Sequence, residues 1–125
     1  MNIALLGFGT VGKAFYELTL GRSDLRVTSV LSRRPRPELP CTVTNDFDEI
    51  VRDRSVGIVV EVMGGLEPAY RYICAAMRAG KHVMCEKPAG VYTLQVREMM
   101  EEADRHPDIV FGMMFNQRTN HVYRK

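Results

Sequence analysis

Gly7, Gly9 and Gly12 stand as G-x-G-x-x-G in the stretch LLGFGTVGKAF, directly after the wholly apolar run NIALL at residues 2–6. That spacing, between a strand and a helix, suits a backbone that must come close to a diphosphate. Gly7 permits the tight turn, Gly9 lets the main chain approach a pyrophosphate, and Gly12 lets the following helix pack against the strand. The amides of Thr10 and Val11, in the same loop as Phe8, would then face the phosphates at the positive end of the helix dipole. A glycine-rich turn without a ligand has the same composition. The flanking strand and helix favour the dinucleotide reading.

Specificity for the second phosphate is read further along. A carboxylate about 20 residues past the fingerprint binds a ribose 2′-hydroxyl and selects NAD. Here that position holds Ser32, followed by Arg33 and Arg34, with no Asp or Glu beside them. A guanidinium binds a phosphate through two hydrogen bonds, whereas a carboxylate repels it. The sequence therefore predicts NADP(H), with NAD open as the lesser alternative. A solvated basic loop would also read this way.

These residues need a scaffold, and the chain alternates strand and helix patterns. The helix expected over 11–20 places Val11, Ala14, Phe15 and Leu18 on one face. RVTSVL (26–31) reads as a strand, and SRRPRPELP (32–40) is loop because of its three prolines. CTVT (41–44) gives a short strand, and Asp46 with Glu49 forms a capping box for a helix over 47–53. GIVVEV (57–62) is a buried strand. Pro68 then starts a helix that Gly80 closes, with Ala69, Tyr72, Ile73, Ala76 and Met77 facing inward. HVMCE (82–86) and IVFGMMF (109–115) are the last strands, joined by a helix over 94–105 that Thr93 caps and that carries Val96, Met99, Met100 and Ala103. The pattern predicts an α/β fold: a doubly wound parallel sheet in three α/β/α layers, a Rossmann dinucleotide-binding domain over 1–125.

Composition agrees. Apolar residues make up 46% and charged residues 26%, near the globular average. A net charge of +2 gives no argument for nucleic acid, and no apolar run is long enough for a membrane span. With no basic flank of a signal peptide, the expected compartment is cytoplasmic. Three cysteines without C-x-x-C pairing predict reduced thiols, and the scattered histidines His82, His106 and His121 predict no metal site.

Residues 1–84 resemble the nucleotide-binding domain of homoserine dehydrogenases, through LLGFGTVGKAFYEL, VLSRR and VVEVMGGLEPAYRYICAAMRAGKHV. In that string Met63, Gly64 and Gly65 end a strand where ligands gather in open α/β sheets. From MCEKPAG to FGMMFNQR the chain resembles the glucose–fructose oxidoreductase and inositol dehydrogenase family, and AGKHV (79–83) is common to both. The change of likeness suggests a chimera, residues 1–84 from one parent and 85–125 from the other. The second resemblance implies that Lys87, on a Glu-Lys-Pro motif with a cis Pro88, polarises a substrate oxygen, and that Glu86 positions the loop. A fixed ammonium stabilises the negative charge that hydride transfer builds on that oxygen. An exposed lysine beside a rigid X-Pro turn is the plainer reading. Glu61 and Glu86 are further candidate acids, and Asn116, Gln117 and Arg118 are donors expected on the same edge. In both families a separate substrate domain supplies the remaining catalytic groups, so this chain is expected to bind its nicotinamide dinucleotide without turning over a small-molecule substrate alone. Apolar surface around Met113, Met114 and Phe115 predicts self-association as a homo-oligomer.

Overall fold

The structure, a computed structural model, describes residues 1–64 and 67–123. Its first half runs β1 (Asn2–Leu6), α1 (Thr10–Thr19), β2 (Arg26–Leu31), β3 (Thr42–Thr44) and α2 (Phe47–Arg52). The second runs β4 (Val56–Glu61), α3 (Ala69–Arg78), β5 (His82–Glu86), α4 (Thr93–Asp104), β6 (Phe111–Met114) and the short α5 (Asn116–Thr119). The strands form one parallel sheet in the order β3-β2-β1-β4-β5-β6. Connections reverse direction between β1 and β4, and the carboxyl ends of those strands border the crevice where such sheets bind ligands.

Two apolar layers clothe the sheet. On one side Ala4, Leu6, Val59, Val83 and Cys85 meet Phe47 and Ile50 of α2, Ile73, Ala76 and Met77 of α3, and Met99 of α4. On the other, Ile3, Leu5, Val27, Val30 and Val60 meet Phe15 and Tyr16 of α1 and Leu39 of the proline-rich loop. Alternating residues of β1 thus supply both cores, as a strand buried on two faces must. The expected doubly wound, three-layer α/β fold is the one observed.

Three side-chain placements differ from the periodicity reading. In α1 the buried residues are Gly12 and Thr19, with Phe15 and Tyr16 half-buried, while Val11 is 47% and Leu18 78% exposed. The helix is rotated because its glycine, not its valine, takes the point of closest approach to the turn. In α4 Met99 is buried as expected, but Met100 faces solvent and Glu102 faces inward. Thr93 starts that helix without capping it. Around β6, Met113 and Met114 each pack against a core layer and are half-buried, so only Phe115 of the three is an exposed apolar group.

Glu61, Lys81 and Glu102 are the charged residues buried among those described, and the last two join elements away from the cleft. The Glu102 carboxylate accepts from Arg78 Nε at 2.9 Å and lies 2.7 Å from Nη2, with Arg105 at 3.3 Å and His106 Nε2 at 3.1 Å. The Arg78 hydrogen bond, aided by His106 and Arg105 against the cost of burial, holds the Glu102 carboxyl below the ordinary glutamate range. Lys81 Nζ donates to the Asp53 carbonyl at 2.7 Å and to that of Val56 at 3.1 Å, tying the end of α2 and the start of β4 to the start of β5. Burial pushes the Lys81 ammonium down, and Asp53 partly offsets it.

A depressed carboxyl pKa stabilises the fold above the unfolded glutamate value, and that contribution fades as pH falls through the folded one. Glu102→Gln is accordingly expected to cost about 1 kcal/mol at pH 7, discounted because Arg78 is largely exposed. The difference from the parent should shrink steadily in chemical denaturation below the carboxylate range. A difference independent of pH would assign the cost to packing instead.

Candidate functional site

The carboxyl end of β1 runs into a turn with little room. Gly7 has φ +98° and donates its N–H to the Leu31 carbonyl at 3.0 Å, joining the ends of β1 and β2. A Cβ on Gly7 would lie 2.9 Å from Met63 Cα, and one on Gly12 only 2.3 Å from the Gly7 carbonyl oxygen. Gly9 differs from both, since a Cβ there would meet nothing within 4 Å. The turn is therefore tight on its inner side and open on its outer side. Gly9 is also the N-cap of α1, and no side chain caps the helix or places an acid in its first turn. Its leading amides, from Thr10, Val11 and Gly12, are left for an anion.

The outer side opens on a cleft of about 740 Å³ lined by Gly7, Phe8, Gly9, Ser32, Arg33, Arg34, Met63 and Gly64. That size lies within the roughly 300–1,000 Å³ usual for ligand sites. Ser32 shapes the far wall. Its N–H donates to the Thr44 carbonyl at 2.8 Å, and its Oγ both donates to the Arg34 carbonyl at 2.8 Å and accepts from the Arg34 N–H at 3.2 Å. The Ser32 hydroxyl thus builds the loop, while the Arg33 and Arg34 side chains are exposed and in no ion pair among the described residues.

Across β4 and β5 lies a second, smaller cavity of about 80 Å³, lined by Glu61, Gly64, Tyr70, Cys85, Glu86 and Lys87 among others. Glu61 is buried, and its oxygens accept from the Met63 N–H at 2.7 Å and from Cys85 Sγ at 3.4 Å. Burial first, and then the Glu61 charge, push the Cys85 thiol up to about 12. The candidate acid Glu61 is therefore a brace between the ends of β4 and β5, which carry Met63-Gly64 and Glu86-Lys87. Lys87 is exposed at the rim, its bond to Pro88 is cis as the resemblance implies, and Glu67–Pro68 is cis as well.

The fold thus gathers Gly7, Phe8, Gly9, Ser32, Arg33, Arg34, Met63 and Gly64 around one cleft and puts Glu86 and Lys87 beside it, with Gly64 lining both cavities. Gly65 lies outside the described residues. Asn116, Gln117 and Arg118 line neither cavity, and the Arg118 guanidinium stands 5.4 Å from the Phe115 ring. The sequence reading missed Arg36, Asn45, Glu67 and Tyr72, which line the cleft from loops and from α3. No cluster of metal-ligating side chains occurs among the described residues. No helix among them is long and apolar enough to cross a membrane. All three cysteines are free.

Residues 1–113 match the family described as "Oxidoreductase family, NAD-binding Rossmann fold". The chain belongs to this family. The match covers residues 79–84, where the two resemblances meet. Among relatives of this oxidoreductase domain, a homoserine dehydrogenase from Synechocystis is 40% identical over 118 residues, covering 85% of this chain and 27% of its own. A scyllo-inositol dehydrogenase from Lactobacillus casei, solved with bound cofactor NAD(H) and scyllo-inositol, superposes with a TM-score of 0.88 at 25% identity over 99% of this chain and 38% of its own. The homoserine dehydrogenase of S. aureus gives 0.78 at 27% identity, covering 90% and 32%. Both resemblances are met, and this chain spans about a quarter of the length of the curated relatives it matches. The open face of Gly9, the uncapped α1 and the cleft fit the dinucleotide the family name implies.

The three glycines should respond differently to alanine. Gly12→Ala drives a Cβ into a backbone oxygen and is expected to cost at least about 1–3 kcal/mol in denaturant unfolding. Gly9→Ala meets no protein atom and should leave the melting temperature within a few degrees, while weakening dinucleotide binding about tenfold or more in calorimetry. Equal stability losses for the two variants would refute this division of roles.

Proposed function

We propose that residues 1–125 are one dinucleotide-binding domain that prefers NADP(H). The diphosphate lies on Gly7, Phe8, Gly9, Thr10, Val11 and Gly12, and the 2′-phosphate among Ser32, Arg33 and Arg34. The nicotinamide lies toward Met63, Gly64, Gly65, Glu86 and Lys87. The observation that carries the preference is the end of β2: two exposed arginines without ion-pair partners among the described residues line the same cleft as the glycine turn, and no Asp or Glu stands beside them. The bound dinucleotide supplies or accepts a hydride. The chain's own residues bind and orient it, and Lys87 offers an ammonium to a substrate oxygen at the cavity rim.

Turnover requires a substrate domain, from further polypeptide or from a partner, to exclude water and orient a small hydroxy or carbonyl compound. The resemblance to homoserine dehydrogenases favours an aldehyde or alcohol of amino-acid type. A second reading, NAD(H) with a polyol, is favoured by the likeness to scyllo-inositol dehydrogenase over 99% of this chain. A chimeric origin is tested by the genomic reading frame, since an uninterrupted natural frame with this junction removes it. Association into homo-oligomers is tested by sedimentation at high concentration.

Paired titrations of the purified chain decide the cofactor. NADPH is expected to bind more tightly than NADH, and Arg33→Ala with Arg34→Ala should cost NADPH about 10–100-fold while leaving NADH nearly unchanged. Tighter binding of NADH by the parent chain overturns the preference and supports the second reading.

A further inference from the structure

Arg36 lies in the proline-rich loop after β2, and its guanidinium reaches back to the glycine turn. Nη2 donates to the Phe8 carbonyl at 3.1 Å, across 28 positions of sequence. The guanidinium carbon stands 5.4 Å from the centre of the Phe8 ring, which also meets Tyr16 edge-on at 5.8 Å and packs against the core layer of Ile3, Leu5 and Val30. Nη1 is 3.7 Å from Glu38 on the same loop. Nε is buried and has no hydrogen-bond partner among the described residues. Arg36, Phe8, Arg33 and Arg34 all line the same cleft.

We propose that Arg36 is a positioning residue that latches the glycine turn to the specificity loop, so that both walls of the cleft are set before the dinucleotide arrives. Phe8 lies between Gly7, where Met63 leaves no room for a side chain, and Gly9, whose outer face is open while its carbonyl accepts the Lys13 N–H at 2.9 Å. On the cleft side the turn is tied to the loop through Phe8, whose carbonyl and ring meet Arg36 and whose ring also packs on Tyr16 and the core layer. A planar guanidinium can donate to the carbonyl and lie against the ring together, which an ammonium cannot. Through its side chain Arg36 tethers the loop, two residues beyond Arg34, to the turn, and so limits the distance between the diphosphate and 2′-phosphate ends. Because the latch acts on the shared turn, its loss should weaken every ligand that uses the diphosphate site, whether or not it carries a 2′-phosphate. This inference rests on dinucleotide binding at the glycine turn and not on the preference for NADP(H).

The test is titration of the purified chain and its Arg36→Met and Arg36→Lys variants with NADPH, NADH and ADP. Arg36→Met keeps the aliphatic stem and removes every donor. It is expected to weaken all three ligands by a similar factor, on the order of tenfold, with the NADPH-to-NADH ratio unchanged. Arg36→Lys, which restores one donor to Phe8, should regain part of that loss. In the ligand-free protein, amide resonances of Phe8 and Gly9 should shift in Arg36→Met while those of β4 and α3 do not. Loss of NADPH alone would make Arg36 a direct 2′-phosphate ligand and overturn the latch. Unchanged affinity for all three would overturn it too, as would shifts spread over the whole sheet, which mark a purely structural role. Should Arg36→Met fail to fold, Arg36→Lys decides: the latch requires an equal, smaller loss for all three ligands, and any unequal loss overturns it. A change in the cofactor ratio of Arg33→Ala with Arg34→Ala reports on the NADP(H) preference separately.

Discussion

Three backbone segments meet where no side chain fits, and the site depends on that meeting. The turn after β1, the first turn of α1 and the residues following β4 approach so closely that a Cβ at Gly12 would fall 2.3 Å from a carbonyl oxygen of Gly7. At Gly7 it would fall 2.9 Å from Met63 Cα. Such contact fixes the angle at which α1 leaves the sheet, because a helix that starts on another main chain has no freedom to slide. It also turns α1 about its axis, so that Gly12, Phe15, Tyr16 and Thr19 face inward and the helix opens its uncapped end onto the cleft. The cost is visible as exposed apolar side chains, Val11 and Leu18, on the outer face. Packing of the turn takes precedence over burial of the helix.

From that point the cleft assembles by hydrogen bonds between strand ends and loops. Gly7 is tied to Leu31, Ser32 to Thr44, and the Ser32 hydroxyl to both backbone groups of Arg34. On the other side of the reversal Glu61 ties Met63 to Cys85. The buried carboxylate therefore does for β4 and β5 what the glycine turn does for β1 and β2. It sets the spacing of two loops without touching the cleft's outer wall. Each of its oxygens has a donor, the condition under which a buried carboxyl group is tolerated.

Much of this was legible from residue order. NIALL, RVTSVL and HVMCE are strands over the residues their composition marks, because buried parallel strands are apolar or β-branched runs with sharp ends. The glycine turn was legible because its spacing and its flanks agree. Periodicity failed in α1 since it counts apolar residues, whereas the decisive contact involves a glycine and a carbonyl oxygen. It failed at Met100 and Glu102 because the partner that makes a buried glutamate favourable, Arg78, belongs to another helix. Arg36 was invisible for a related reason. In a loop with three prolines it reads as one more solvated cation, and only the fold returns it to Phe8. Glu61 was read as a candidate acid, and what removes it from that role is a thiol 24 positions later.

The ionisable groups divide along the same line. His82 accepts the Val110 N–H through Nδ1 at 3.0 Å, so it joins β5 to the segment before β6. His106 contacts Glu102, Lys81 is held by two carbonyls, and Glu61 is held by a turn and a thiol. Each is committed to joining elements, and a group so committed is ill placed to exchange protons with a substrate. Arg33, Arg34 and Lys87 are different: all are exposed, all lie at the carboxyl edge, and all are cations. The edge thus presents positive charge at two places, the wall of the cleft beside the glycine turn and the rim of the smaller cavity. With its buried acids, along with His82 and His106, serving its own architecture, and with exposed cations at the rims of two neighbouring cavities, the domain suits the anionic dinucleotide that the family name implies.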